Sequence, residues 1–563
     1  MKKLINDPRH VVREMLEGLV DTHEHLALMD GENVVLRAEP RSSAQRRVAV
    51  LSGGGSGHEP AHAGYVGQGM LSAAIAGDVF TSPSVDAVLS AILAASGPEG
   101  ALLVVKNYTG DRLNFGMAAE LAREKGIPVE VVVVADDVSL RELVPADRRR
   151  GIAGTVFVHK IAGAAAEQGL PLAEVAAVAA RAAAALGSMG VGLGACTVPA
   201  AGTPSFTLGD TEIEYGLGIH GEKGVGRRQI QSADTIVDDI LAHILPELPA
   251  DTRRVAVLVN GLGGTPPMEL QIIARHALAA LRNQGLVPER AWVGNFMTAL
   301  EMPGCSLTVL AVDDALLSLL DAPTQAPAWP ASGRIPGTRT AAPAPAGVAE
   351  TPAPVPAGPL AEALRRVALG AADTIIAAEP ELTDLDSQAG DGDLGASMAR
   401  GAQALRALPG HAFHAPDVFL ASLSQAMRRA IAGSSGPFYA IALLRASREL
   451  AGVATPTPAQ WQGAFAAAID AIMQMGGAKP GDRTMIDALA PAARAWHDAL
   501  TAGQHGLQAF DAALQAARHG ADETTRMKPR LGRASYLGDR AVGIPDGGAV
   551  AVVRWLEGIR AGL

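Results

Sequence analysis

Three carboxylates crowd into eight residues: in the segment Leu385 to Gly395, Asp386, Asp391 and Asp393 stand around Gly390 and Gly392. Like charges this close repel, and a hard cation such as Mg2+ removes that cost, taking substrate phosphates as further ligands. An EF-hand is excluded, because no Glu stands at the twelfth loop position counted from Asp386 or Asp391. A solvated Asp/Gly turn or a helix cap is the plain alternative. A second glycine turn, Ala432-Gly433-Ser434-Ser435-Gly436-Pro437, opens a helix, and its amides and hydroxyls suit phosphate oxygens. The segments Gly481 to Asp487, Gly532 to Tyr536 and Pro545 to Gly548 follow, each able to cap a helix. Together they supply a cation, phosphate donors and apolar atoms such as Met485 for a base, which is the inventory of a nucleotide site.

A different chemistry is written in the first half. Gly53 to Pro60 is glycine-rich yet has neither the Gly-Lys-Ser/Thr ending of a P-loop nor the spacing of a dinucleotide fingerprint, so it is not expected to cradle a nucleotide. His58 and Glu59 on that stretch, with Lys106 and Asp111 on another, suit a small polar ligand held by hydrogen bonds. In Gly216 to Gly224, Gly218 and Gly221 frame His220, and such framing lets a substrate approach the imidazole as a nucleophile, base or ligand requires. A structural histidine is the alternative. Cys196 and Cys305 are too few for a disulfide framework and stand in no metal-ligand spacing, so a reducing cytosol is the simplest compartment.

The elements that must hold these groups follow from composition and pattern. At about 150 residues per domain, 563 residues are three or four domains' worth of chain. Apolar residues at 48% and charged ones at 19% exclude a disordered acidic polymer and a fibre. With aromatics at 4%, the interior is filled by Ala, Val and Leu, which favours closely stacked helices. Fifty-eight acidic against 47 basic side chains, a net charge of −11, argue against a broad basic surface for nucleic acid or anionic lipid. An anionic ligand therefore needs local donors or metal ions. Met1 to Leu19 is too charged for a secretory signal, and Ala182 to Thr211 is too weakly hydrophobic to span a bilayer, so no membrane association and a cytoplasmic location are expected.

Apolar runs at Val48 to Leu51, Leu102 to Val105 and Val129 to Val134 read as strands, with a helix over Leu113 to Lys125 completing a βαβ unit and hence a parallel sheet. Its ligand loops belong at the carboxyl ends of the strands. Gly154 to Val158, Val255 to Val259 and Ser306 to Val312 read as further strands, and the chain from about residue 190 as a possible second lobe. Pro327 to Pro356 holds eight prolines without apolar periodicity and reads as a linker, stiffened toward polyproline II. From Leu360 onward Ala and Leu recur at helical spacing, giving an all-α bundle of about eight helices. The expected order is an α/β domain over 1–326, a linker over 327–358 and an all-α domain over 359–563, with no internal repeat.

On Leu51 to Gly64, Phe80 to Pro83, Val105 to Phe115, Gly218 to Glu222, Gly390 to Asp393, Gly481 to Met485 and Gly532 to Tyr536, the chain resembles the single-chain ATP-dependent dihydroxyacetone kinases along nearly its whole length. The resemblance implies a ketone-binding α/β domain followed by an α-helical barrel that binds ATP. It implies that His220 adds to the substrate carbonyl to form a hemiaminal, that His58 and Asp111 assist proton transfers, and that Ser56, Gly57, Glu59 and Lys106 line the substrate site. Asp111 is then the candidate acceptor of the proton from the attacking hydroxyl. Asp386, Asp391 and Asp393 match the carboxylates that hold two Mg2+ ions. Gly392, Leu394, Ser434, Ser435, Gly476, Thr484, Met485, Arg533, Asp546, Gly547 and Gly548 join Asp391 and Asp393 in the ATP site. A homodimer in which the helical domain of one chain covers the ketone site of the other is also implied. Two positions depart from the family's usual pattern: Leu394 stands where a small or polar residue is common, and Gly547 where proline is. Three alternatives accompany this reading: preference for a four-carbon ketose such as erythrulose, an FAD-AMP lyase activity, often with Mn2+, and a carbohydrate-binding regulator or phosphoprotein-dependent subunit.

Overall fold

The computed structural model describes residues 2–38, 42–330, 332–343, 355–433 and 435–563, which divide into two compact units, Met1–Ala342 and Pro343–Leu563. The first unit holds two six-stranded sheets. In one, β1 (Leu26–Leu28), β2 (Val34–Arg37), β3 (Ala49–Ser56), β4 (Ala73–Val79), β5 (Ala101–Lys106) and β6 (Val129–Val134) lie in the order β1-β2-β4-β3-β5-β6. Strands β4, β3, β5 and β6 run parallel, while β1 and β2 pair antiparallel at one edge. The second sheet contains β7 (Leu186–Gly192), β8 (Glu212–Tyr215), β9 (Gly226–Gln229), β10 (Arg254–Gly261), β11 (Val287–Gly294) and β12 (Gly304–Ala311), ordered β11-β10-β12-β7-β8-β9. All its pairs are antiparallel except β10 with β11.

The two strand runs Leu102 to Val105 and Val129 to Val134 pair in parallel as expected, because β-branched residues buried on a twisted sheet suit the extended backbone. Gly154 to Val158 is a correction: Thr155–Glu167 is an α-helix. A short apolar run does not distinguish a strand from a fully buried helix by periodicity, and every side chain from Thr155 to Ala166 is buried. That helix belongs to a core that joins residues of both sheets, among them Val104 of β5 and Leu258 of β10. Gly53 to Ser56, read as the start of a loop, is a continuation of β3.

The second unit contains nine α-helices among the described residues, one more than expected, from Ala361–Ala377 to Gly547–Gly562. They enclose an apolar cavity of about 530 Å³, whose lining includes Leu364, Phe419, Phe465, Trp496 and Trp555. No helix among the described residues is long and apolar enough to cross a membrane. The expected linker begins within packed structure: Trp329 is buried beside Trp292, with ring centroids 4.9 Å apart, and Arg334 pairs with Asp321 at 3.2 Å. Residues 344–354 of that segment lie outside the described residues.

Candidate functional site

Three adjacent parallel strands deliver one group of side chains from their carboxyl ends. His58 follows β3, Phe80 follows β4, and Lys106 ends β5 just before the helix Thr109–Glu124 that carries Asp111. His220 arrives from the second sheet, on the turn between β8 and β9. Its imidazole is surrounded by three rings, with centroids at 4.9 Å for His58, 5.2 Å for Phe80 and 4.7 Å for Tyr108. The sequence-predicted residues His58 and His220 thus meet although 162 positions separate them.

Both imidazoles have a defined proton position. Nδ1 of His220 lies 2.8 Å from Oε1 of Glu222, and Oε2 of the same carboxylate accepts the His220 backbone amide at 3.0 Å. Burial disfavours the Glu222 anion, but the hydrogen bond and charge of His220, backbone hydrogen bonding and Arg150 outweigh it and hold the carboxyl down at about 2. An ionised carboxylate only accepts, so Nδ1 of His220 is the donor, and in the neutral form of the ring the lone pair stands on Nε2. The same logic applies to His58, whose Nδ1 lies 2.8 Å from the Thr298 carbonyl oxygen. Burial, with the charges of Lys106 and His220, lowers the His58 pKa well below the usual histidine value, so the ring is neutral and its Nε2 is a base.

Gly218 has a use different from the one expected. A Cβ there would stand 1.9 Å from Oε2 of Glu222, so the missing side chain makes room for the carboxylate that orients His220. Lys106 and Asp111 converge on Gly54, where an added Cβ would meet Lys106 Nζ at 3.0 Å and Asp111 Oδ2 at 3.3 Å. Ser82 Oγ donates to Oδ1 of Asp111, which orients the carboxylate with its other oxygen toward Gly54. Gly57 N donates to Glu59 Oε1 at 3.0 Å, and burial raises the Glu59 carboxyl above its ordinary pKa. The Ser56 hydroxyl donates to the Gly77 carbonyl at 2.7 Å, which ties β3 to β4.

Glu222, Phe80, Tyr108, Ser82 and Thr298 were not singled out from the sequence. The first four lie in or beside conspicuous motifs, and their polar or aromatic character was an available signal. Thr298 offered none. It reaches the site through contacts that span some 240 residues, its amide donating to the His58 carbonyl at 3.1 Å and its hydroxyl to the Glu59 carbonyl at 2.9 Å. Replacing Glu222 with Gln keeps an acceptor at Nδ1 but removes its charge. It is expected to lower kcat/KM for a ketone substrate on the order of 10²-fold, with the KM for the nucleotide unchanged. Equal turnover of the variant in a steady-state assay would remove the carboxylate from the chemistry.

In the helical unit, Asp386 occupies the last turn of the helix Glu379–Ala389 and not a loop, while Asp391 and Asp393 follow it on the turn. Each of the three offers an oxygen within 4.8 Å of the others, a spacing that fits a hard divalent cation. Asp386 Oδ2 also accepts the amides of Asp393 at 2.8 Å and Leu394 at 3.1 Å, closing the turn. Leu394 and Gly547, the two departures from the family pattern, touch one another: a Cβ at Gly547 would stand 2.7 Å from Leu394 Cδ2. The larger side chain at one position takes the room left by the smaller at the other.

Asp487 accepts the Gly481 amide at 2.5 Å and the Thr484 amide at 2.8 Å, which shapes the turn bearing Thr484 and Met485. Gly548 lies against that turn, since its Cβ would sit 3.6 Å from that of Met485. Asp546 caps the last helix through Ala549 N at 2.8 Å, and burial pushes its carboxyl up to about 6. Arg483, missed by the sequence reading, links the two loops, with Nη2 donating to the carbonyls of Ala541 at 3.2 Å and Ile544 at 2.9 Å. Gly476 ends the helix Pro458–Gly476 against the Phe438 ring, and Ser435 begins the helix Ser435–Glu449. Ser434 and the side chain of Arg533 lie outside the described residues.

Comparison with known proteins divides the chain as the sites do. Residues 17–328 match the Dak1 domain and residues 388–561 the DAK2 domain. The chain is 44% identical over 575 residues to the triokinase/FMN cyclase of Homo sapiens, covering 99% of this chain and 98% of that protein. It is 35% identical over 568 residues to the D-erythrulose kinase of Mycolicibacterium smegmatis, covering 98% and 97%. The crystal structure of the dihydroxyacetone kinase from C. freundii in complex with AMP-PNP and Mg2+ superposes with a TM-score of 0.62 at 33% identity, covering all of both chains.

Proposed function

Because the chain belongs to the dihydroxyacetone kinase family and is a kinase that uses ATP, we propose that it phosphorylates dihydroxyacetone, and also glyceraldehyde, on a substrate held covalently by His220. The observation that carries this reading is the pairing of His220 Nδ1 with an ionised Glu222, which leaves Nε2 as a nucleophile inside an aromatic enclosure. Attack by Nε2 forms a nitrogen–carbon bond and moves the carbonyl π pair onto oxygen. The net result is transfer of the Nδ1 proton to the carbinol oxygen, with Glu222 stabilising the transient imidazolium and His58 Nε2 beside it as an acid–base partner. A triose offers few hydroxyls, and a reversible bond positions it as hydrogen bonds alone would not. The terminal hydroxyl then attacks the γ-phosphorus, the bond to the β–γ bridging oxygen breaks, and Asp111 takes the hydroxyl proton.

Asp386, Asp391 and Asp393 would hold Mg2+, two ions on this reading, which would offset the charge of the ATP phosphates. Gly392, Leu394, Ser434, Ser435, Gly476, Thr484, Met485, Arg533 and Asp546 to Gly548 would enclose the nucleotide. Ser56, Gly57, Glu59 and Lys106 would bind the ketose, with the helical domain of one chain over the ketone site of its partner. Cytoplasmic action belongs to the same proposal.

Coupled measurement of ADP release across C3 to C5 ketoses and glyceraldehyde tests the substrate class. Dihydroxyacetone is expected to give the largest kcat/KM, a larger value for erythrulose would move the assignment to a four-carbon ketose, and no turnover of any would sink both. A second reading, cyclising cleavage of FAD to AMP and a cyclic flavin phosphate, is favoured by 44% identity over almost the full length to a triokinase/FMN cyclase. Release of the cyclic product from FAD with Mn2+ and no ketose is its expected signature, and its absence would remove that reading.

A further inference from the structure

Behind the proposed ketone site the first unit buries three polar side chains, Ser52, His62 and His159, that the reaction above does not use. On β3 and β5, Ser52 and Val104 are paired neighbours, and side chains two apart on a strand share a face, so Ser52, Val104 and Lys106 point the same way. The helix Thr155–Glu167 packs across that face and carries His159, while His62 follows the loop after β3. His159 and His62 have ring centroids 5.2 Å apart, and Ser52 Oγ lies 3.4 Å from His62 Nδ1. His62 lies 6% exposed and Lys106 and His159 not at all. Among the described residues, Lys106 Nζ, His62 Nε2, both ring nitrogens of His159 and His58 Nε2 are buried without a hydrogen-bond partner.

Three of these atoms, Nε2 of His62 and both ring nitrogens of His159, belong to side chains with no part in the proposed reaction, and their lack of partners is anomalous. A buried polar group without a partner costs about 1–3 kcal/mol, and native proteins satisfy nearly all of them, with ordered water where protein atoms do not reach. The chemistry of the set is complementary. Lys106 offers three N–H donors and no acceptor, whereas each neutral imidazole offers one lone pair. Burial, together with the Lys106 charge, keeps His62 and His159 neutral, so they present acceptors to the ammonium and not competing charge.

We propose that a buried water site joins the Lys106 ammonium to the imidazoles of His62 and His159, and that these two histidines are positioning residues that keep Lys106 a donor toward the ketose. The inference rests on the ketone-site reading only for its functional half; the water itself stands on the unpaired atoms. Lys106 needs such support because burial favours its neutral form. The groups that face it are the carboxylates of Asp111, Glu222 and Glu59, the imidazoles of His58, His62 and His159, and the Tyr108 ring, whose centroid is 5.8 Å from Nζ. The carboxylates favour the cation through space, and a hydrated imidazole pair adds hydrogen bonds to it.

Two measurements on the full chain test this. A crystal structure at about 1.5 Å or better should show water within hydrogen-bond distance of Lys106 Nζ and of at least one ring nitrogen of His62 or His159. Empty density there overturns the site whatever the enzyme's activity. In the second, kcat/KM for dihydroxyacetone is followed against pH for His159→Phe and His159→Gln. Loss of an acceptor destabilises the protonated amine, so the alkaline limb of His159→Phe should move to lower pH by about one unit, a tenfold loss on that limb, while His159→Gln keeps the limb of the unaltered enzyme. An unshifted limb in a folded His159→Phe, or the same shift in both variants, overturns the positioning role. If His159→Phe fails to fold, His62→Leu is read by the same criterion.

Discussion

Replacing His220 with alanine is expected to lower kcat/KM for dihydroxyacetone by on the order of 10³-fold or more, and to abolish the covalent ketone adduct while ATP still binds. The size follows from what the imidazole supplies. Without a bond to the carbonyl, a triose must be oriented by Lys106, Asp111 and backbone groups alone, and its hydroxyl is no longer presented as an intramolecular reactant. Nearby His58 is a poor substitute, because its Nδ1 is tied to Thr298 and its ring is packed on Phe80 with centroids 5.2 Å apart. Crystals of the variant soaked in dihydroxyacetone, or intact-protein mass spectrometry after reductive trapping, read the adduct directly. An adduct that survives the substitution would assign the nucleophile elsewhere, and unchanged turnover would end the hemiaminal proposal.

Replacing Asp391 with alanine is expected to lower kinase turnover by on the order of 10³-fold or more at saturating dihydroxyacetone, while the ketone adduct on His220 persists. Asp386, Asp391 and Asp393 gather their oxygens within 4.8 Å of one another, so removing one leaves a site with less charge and fewer ligands for a divalent cation. Titration with Mg2+ should show a weakened metal requirement curve, and the FAD reaction should be lost in parallel if it uses the same phosphate site. Turnover at the unaltered level would place the metal on other residues. The pair of variants also tests the dimer. In a mixture of His220→Ala and Asp391→Ala chains, a site assembled from two protomers has one working copy in each mixed dimer, so roughly a quarter of the original activity returns. Sites assembled within single chains stay inactive, and a mixture that remains silent after subunit exchange would exclude the crossed arrangement.

How much of this was legible without coordinates differs between the two halves. The aspartate cluster could be read because its three carboxylates lie within eight residues, and the local chain alone brings them close. His220 could be suspected from its glycine frame, yet the reason offered for that frame was incomplete. Gly218 makes room for Glu222, and only the folded turn shows that a side chain there would collide with the carboxylate. The strand reading of Gly154 to Val158 failed for a related reason: a short run of apolar residues is compatible with either backbone, and burial on all sides, which favours a central helix, is a property of the neighbours.

The sequence by itself determined the two fold classes and pointed to candidate groups, because periodicity, glycine turns and charge spacing act over a few residues, while the roles of those groups came from the family resemblance. Tertiary structure decided which protons sit where and what surrounds them. Thr298 sets the tautomer of His58 from 240 residues away, Leu394 fills the room beside Gly547, and the rings of His62 and His159 meet from separate elements with centroids 5.2 Å apart. These are contacts between distant segments, whose hydrogen-bonding and desolvation energies exist only once the sheets and helices have packed.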